Sequence, residues 1–440
     1  MKRSSAYKPS GVEWIGDIPG KWETIKLKFL TSYNDEVLPE KTNDNHIINY
    51  VEISDVNCSE GVVNTTEYTF KDAPSRARRV TKKNDVIIST VRTYLKAIAK
   101  INEDVLIVST GFIVLRPQKV HNQFLSYGAL SESFISDVIS QSVGVSYPAI
   151  NASQIVNIKI PVPSYAEQVA IAAYLDAKCA KIDNVLSVQQ KRIELLKELK
   201  QSIITNAVTK GLDKNVEFKP SGIEWIGDIP EKWTLMKLKH ICKDEKYSIK
   251  TGPFGSQLKG EDLREEGDVR VYNQRNVIDD CFDDVQFFVT SAKAKDLQSF
   301  FTKENDLLVT SRGTIGKCSI LPKTAPMGVL HPCLIALRIN EKKCSLRWAK
   351  FFINESDCFK TNVFLNSNAT TIEVIYTDTL KSIFIPLPPL KEQLAIISYL
   401  EHKCSAIDSQ ISKIERQIEL LKEYKQSIIT ECVTGKRKVC

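Results

Sequence analysis

The sequence is poor in histidine and has no paired-cysteine motif. Its five histidines (His46, His121, His240, His331, His402) never fall at a metal-ligand spacing such as HExxH. Its eleven cysteines are odd in number, scattered and never in CxxC. That excludes a zinc ribbon or a disulfide framework and points to buried thiols in a reducing cytoplasm. No apolar run approaches the roughly 20 residues that cross a bilayer, and the basic start MKRSSAYKPSGVEWIGD lacks the apolar stretch of a secretory signal. Catalytic signatures are missing too: there is no G-x-S-x-G elbow, no Asn-Pro-Pro-Tyr or Asp-Pro-Pro-Tyr motif and no glycine-rich cofactor loop. SRGTIGKC (Ser311 to Cys318) lacks the first glycine of a phosphate loop and the hydroxyl residue after Lys317, so it reads as strand–turn–strand. The carboxylates Asp279, Asp280, Asp283 and Asp284 read as a solvated acidic loop rather than a metal site.

What is present is an ordinary globular composition, 42% hydrophobic and 26% charged over 440 residues, with room for about three domain-sized units. The net charge of +7 is concentrated. Residues 71–102 hold nine positive side chains (Lys71, Arg76, Arg78, Arg79, Lys82, Lys83, Arg92, Lys96, Lys100) against Asp72 and Asp85, so the rest of the chain is neutral. Such a strip suits a phosphate-binding face, with Arg76, Arg78 and Arg79 expected on phosphates.

The chain also repeats itself. Residues 8–30 and 219–241 share 16 of 23 positions, including GVEWIGDIPGKW and GIEWIGDIPEKW. Residues 160–212 and 385–437 share 28 of 53. The segments between, 31–159 and 242–384, show no common register. Two units this long exclude a solenoid and describe a constant scaffold carrying two diverged inserts.

The long constant piece predicts a helix. Proline-rich IPVPS and IPLPPL stop what precedes, and no proline or glycine follows from Ala166 to about Thr205 or from Lys391 to about Thr434. Apolar residues at alternating spacings of four and three form a coiled-coil seam. It runs through Ile182, Leu186, Gln189, Ile193, Leu196, Lys200 and Ile203 in one copy, and Ile407, Ile411, Ile414, Ile418, Leu421, Lys425 and Ile428 in the other. Matched helices with a whole domain between them predict antiparallel pairing, with Lys200 and Lys425 near the ends where they can snorkel to water. In the short constant piece Trp14 and Trp22, or Trp225 and Trp233, anchor a compact turn that leads into a strand.

The inserts read as α+β domains, each large enough for its own core. Their polar clusters carry forked donors and acceptors suited to base edges: Arg for guanine, Asn or Gln for adenine. In the first insert these are Arg92, Thr93, Tyr94 and Lys96, then Ser146, Tyr147 and Asn151. In the second they are Tyr272, Asn273, Gln274 and Arg275, then Ser311 and Arg312, then Asn366 and Asn368. Residues 261–300, with ten acids against five bases, weaken a charge argument for the second insert.

The paired GxEWIGDIPxKW motifs and the paired IPxPxxxEQxxI motifs (Ile160, Pro161, Pro163, Glu167, Gln168, Ile171; Ile385, Pro386, Pro388, Glu392, Gln393, Ile396) each lead into a helix ending LLKExKQSIIT. This order resembles the specificity subunit of type I restriction-modification systems over essentially the whole chain. GPFGSQLKGEDL and TSRGTIGK resemble motifs of that family's target-recognition domains. The resemblance implies a non-catalytic reader of double-stranded DNA, with two recognition domains each taking half of a split target. It implies a coiled-coil spacer that docks two methyltransferase and two restriction subunits. It places S-adenosylmethionine, ATP and Mg in those partners, none in this chain, and no membrane. The expected bounds are 1–164 and 209–389 for the recognition domains and 165–208 and 390–435 for the helices. A self-contained DNA enzyme and a protein-binding scaffold without nucleic acid are the competing readings. The missing catalytic motifs speak against the first and the basic strip against the second.

Overall fold

The computed structural model describes residues 7–366 and 374–439, with Asn366 described by its backbone alone. The chain divides into two compact units. One comprises Met1–Gln190 with Ile414–Cys440, the other Lys191–Lys413. Each unit is α+β, and the two inserts, unlike in sequence, are built alike.

In the first unit an antiparallel sheet runs in the order Thr31–Tyr33, Phe112–Pro117, Val86–Ser89, Ile98–Lys100. A second sheet runs Thr66–Thr69, Ile47–Val51, Ile107–Ser109, Ala77–Val80, with Ile47–Val51 and Ile107–Ser109 parallel. The second unit repeats the order. Its antiparallel sheet is Ile249–Thr251, Leu334–Leu337, Leu307–Thr310, Cys318–Ile320. Its other sheet is Phe287–Val289, Val269–Tyr272, Gly328–Leu330, again with one parallel pair, Val269–Tyr272 on Gly328–Leu330. The central strands VIIS and LLVT are buried on both faces, so they read as unbroken apolar runs rather than alternations.

Two helices follow in each unit, broken by a serine. Asn122–Leu130 and Glu132–Ser140 meet at Ser131, whose hydroxyl accepts from the Phe134 N–H; Leu346–Glu355 and Asp357–Asn366 meet at Ser356. Short helices, Ala152–Ile155 and Thr377–Ser382, end before the IP segments, which are themselves strands, Lys159–Val162 and Phe384–Leu387, paired with Glu23–Lys26 and Thr234–Lys237 in two-stranded ribbons. A ribbon has free edges, which is where proline is tolerated in a sheet.

The long helices run Tyr165–Lys210 and Leu390–Val433. Each contributes to both units. Glutamines that match between the two copies fix their starts. Gln168 accepts from the His121 N–H at 2.8 Å and donates to the Pro163 carbonyl, while Gln393 accepts from the Ser345 N–H at 2.8 Å and donates to the Pro388 carbonyl. The seam positions are all buried or half-buried. Lys200 and Lys425 do not snorkel to water at the ends. In the second unit Lys200 bonds Asp408 at 2.8 Å; in the first Lys425 bonds Asp183 at 2.7 Å. In the first unit Arg437 reaches the Tyr174 hydroxyl while Lys425 reaches Asp183, so the segments run antiparallel; in the second, Gly211 lies by Glu392 and Lys200 by Asp408, with the same sense.

Trp22 and Trp233 are buried, whereas Trp14 and Trp225 stay partly in solvent, at 45% and 36% exposure. Gly211, in a left-handed conformation at the end of the first long helix, packs on Trp233. Gly435, left-handed after the second long helix, packs on Trp22 and Pro19, and its carbonyl accepts from the Tyr7 hydroxyl at 2.8 Å. No disulfide links the described cysteines, and most are buried. Among the described residues no helix is long and apolar enough to cross a membrane.

Candidate nucleic-acid interface

The central strand of each unit is tied down at one end and opens into a loop at the other. Asn84 turns the chain in the left-handed region (φ 75°), and buried Asp85 then accepts from the Lys82 N–H at 2.8 Å and from the fork of Arg116 at 2.9 and 3.0 Å. Asn305 (φ 63°) and buried Asp306 repeat the device with the Lys303 N–H at 2.8 Å and Arg338 at 3.2 Å. Burial still pushes the Asp306 carboxyl above its ordinary value, against the bonds that lower it.

At the far end of the first strand, two loops are sewn together. The Arg92 N–H donates to the Pro148 carbonyl at 2.7 Å and the Ile150 N–H to the Thr90 carbonyl at 2.8 Å. Arg92 is exposed and left-handed (φ 50°), and its guanidinium lies 4.7 Å over the Tyr147 ring. Tyr94, Ser146 and Tyr147 face solvent. Thr93 does not: it is buried, its hydroxyl bonded to that of Ser142 at 2.8 Å. Lys96 is half-buried and lies 3.6 Å from Glu132. Asn151 is exposed but stands at the N-cap of the helix Ala152–Ile155, its N–H donating to Gln154 Oε1.

The basic strip is not a row of free cations. Arg76 is exposed beside the loop base, where its carbonyl accepts from the Thr110 N–H next to the Gly111 that bonds Thr90. Arg78 lies 4.6 Å over the Phe70 ring. Arg79 is half-buried with its Nε out of water and unpartnered, and burial lowers its pKa. Lys82 pairs with Glu36, and Lys100 donates to Gln123.

In the second unit the corresponding loop brings Ser311 to Thr314 against Gln274. In the amide orientation that satisfies both groups, Gln274 donates to the Arg312 carbonyl at 2.7 Å and accepts from the Thr314 N–H at 3.0 Å. Arg312 is exposed, its guanidinium 4.8 Å over the exposed Phe254 ring. Three expected base readers here are corrected. Tyr272 is fully buried and donates to the Pro326 carbonyl; Asn273 is buried and caps the helix Gln274–Ile278; Ser311 is buried, its backbone bonded to Cys333 and Ile375. Arg275 is exposed but paired with Asp279 at 3.4 Å and Asp284 at 3.3 Å. Asp280 is taken by Lys350, and no metal-sized group of ligands occurs among the described residues. Asn366 ends a helix and its side chain is not described; Asn368 lies outside the described residues.

Sequence reading missed Phe254 as the ring under Arg312, and the exposed Val143 and Val145 beside Tyr147. The signal was there in the second case: Gly144 and Pro148 bracket the segment as a turn.

A family model described as the type I restriction modification DNA specificity domain matches residues 19–201 and 230–420. The chain belongs to that family. Membership makes it the specificity subunit, the recognition rather than the catalytic part, of a type I restriction-modification system. It is 26% identical to the putative MjaX specificity subunit of Methanocaldococcus jannaschii, over 97% of this chain and 96% of that one. It is 23% identical to the EcoKI specificity subunit of Escherichia coli, over 96% and 90%. A solved chain described under complex assembly and conformational transition of the type I R-M system shares the fold, at TM-score 0.74 and 22% identity over 96% of this chain and 99% of that one. The HsdS subunit of Thermoanaerobacter tengcongensis does so at 0.53 and 24%, over 96% and 98%.

Proposed function

We propose that this specificity subunit reads a split double-stranded DNA target, one half with each unit, and docks methyltransferase and restriction subunits, two of each. The observation that supports this is the doubled loop at the end of the central strand. In both units an exposed arginine rests on an aromatic ring, while the residues around it differ. The same strand-end loop, its arginine laid on a ring from a different segment in each unit, suits two readers of different bases. The readers are bounded as 1–164 and 209–389.

Arg92, Tyr94, Ser146, Tyr147 and Arg312 are the exposed candidates for bases, with Gln274 bracing the loop that presents Arg312. Arg76 is the candidate for phosphate. The helices at 165–208 and 390–435 act as the spacer, through Ile182, Leu186, Ile193, Leu196, Ile203, Ile407, Ile411, Ile414, Ile418, Leu421 and Ile428. Methyl transfer from S-adenosylmethionine and ATP- and Mg-dependent cleavage belong to the partners, in the cytoplasm beside the chromosome.

The host methylome tests the reading. A methylated motif in two parts, lost on deletion of this chain and restored by its return, is the expected result. A continuous motif, or one indifferent to the chain, would refute it. Turnover by the purified chain alone with DNA and metal, or with S-adenosylmethionine, would refute the non-catalytic role.

A further inference from the structure

We propose that the loop between Val143 and Ala149 reads the 5-methyl group of thymine in the half-site taken by the first unit. The inference rests on the reading of that unit as a DNA reader. Val143, Val145 and Tyr147 are 79%, 102% and 64% exposed. Their exposure is built in. Val143 and Ala149 exchange two backbone hydrogen bonds, at 2.9 and 3.0 Å, closing the five residues between them. Gly144 takes φ 125°, where a Cβ would sit 3.0 Å from the Tyr147 carbonyl oxygen, so a side chain there is strained. Pro148 stiffens the other arm. A constrained turn holding valines out in water contributes nothing to the core and marks a contact surface.

The neighbours name the occupant. Arg92 covers one face of the Tyr147 ring, and exposed Arg76 lies beside the loop base, so the surface suits a polyanion. With one face covered, Tyr147 offers a base less to stack on. Valine is too short and has no plane to act as the wedge that unstacks a minor-groove step. In the major groove thymine presents a methyl group that no other standard base carries, and a small branched side chain is the natural contact for it.

The test uses the full chain with its methyltransferase partner and the target it methylates. Binding is compared for duplexes in which every thymine of one half-site is replaced by deoxyuridine, which keeps the pairing and removes the methyl. Wild type is expected to bind about fourfold more weakly for each contacted methyl lost. The loss should fall only in the half-site that changes when residues 31–159 are exchanged. The double variant Val143→Ala/Val145→Ala should bind thymine and deoxyuridine duplexes alike while keeping its preference in the other half-site, which reports that it is folded. Equal binding of both duplexes by wild type, a half-site without thymine, or discrimination that survives in the double variant overturns the inference and leaves DNA reading intact. Equal binding of target and scrambled duplexes instead overturns DNA reading itself, and this inference with it.

Discussion

Two aspartates carry much of the architecture. Asp85 and Asp306 each sit at 1% exposure under an arginine that comes 31 or 32 residues later. Each arginine also reaches a second acid, Glu36 at 2.8 Å from Arg116 and Glu245 at 3.6 Å from Arg338, so removing the aspartate costs its charged hydrogen bonds, about 1.5–3 kcal/mol, rather than leaving an orphaned charge. Asp306→Ala should lower the urea stability of the second unit by that amount. An unchanged unfolding midpoint would show that Glu245 alone satisfies Arg338. The basic strip sorts in the same way. Arg76→Ala should weaken binding to all sequences alike and lower the salt slope by about 0.9, one phosphate. Arg79→Ala, which removes a half-buried side chain, should change stability more than the slope; the opposite pattern in salt titrations would reverse the assignment. None of this was legible in a charge count, which cannot tell a free guanidinium from one laid on a ring or sunk under a strand.

The long helices were the most legible elements. Heptad spacing identified their seam, because a period of 3.5 is a direct imprint of one helix on another. Sequence spacing did not reveal that Lys200 and Lys425 are each answered by an aspartate of the facing segment, since that partner lies 208 or 242 residues away. The helices also supply a measurable length. A matched insertion of four residues after Gln190 and after Lys413, between the two units, adds about 6 Å to each helix, roughly the rise of two base pairs. The methylated motif should gain one or two base pairs of gap with both half-sites unchanged. An altered half-site, or an unmoved gap, would remove the helices from the role of spacer. The prolines of the IP motif marked where helix stops, but their propensity does not say that a bare ribbon edge will accept them.

For the molecule as a whole, the duplication extends further than the sequence suggested. Residues 31–159 and 242–384 share no register, yet their antiparallel sheets match strand for strand and their second sheets match in three strands, the first insert adding Ala77–Val80. Buried strands need only apolar bulk in alternate or continuous positions, so VIIS and LLVT serve equally and identity decays. What survives is the Asn-Asp pair before each strand and the arginine after it, too sparse to align without the fold. Divergence confined to the inserts predicts that replacing residues 31–159 by another reader changes one half-site and leaves the other and the gap alone. Methylome sequencing of such a chimera would show two altered half-sites if the units read jointly.

The seat of Gly435 on Trp22, with the Tyr7 hydroxyl on its carbonyl, has a consequence for how the chain may be cut. Gly211 holds the same seat on Trp233, but there the peptide continues through the exposed segment Leu212–Asn215 into the next motif. Tyr7 and Gly435 thus meet at a seat that in the second unit is followed by one continuous peptide. A permuted gene that joins the region after Val439 to Tyr7 by a short linker, and opens between Lys214 and Asn215, should yield a protein with the same unfolding midpoint and the same methylated motif. Failure to fold with the linker long enough to span the junction would show that the order of synthesis, and not only the contacts, is written into this chain.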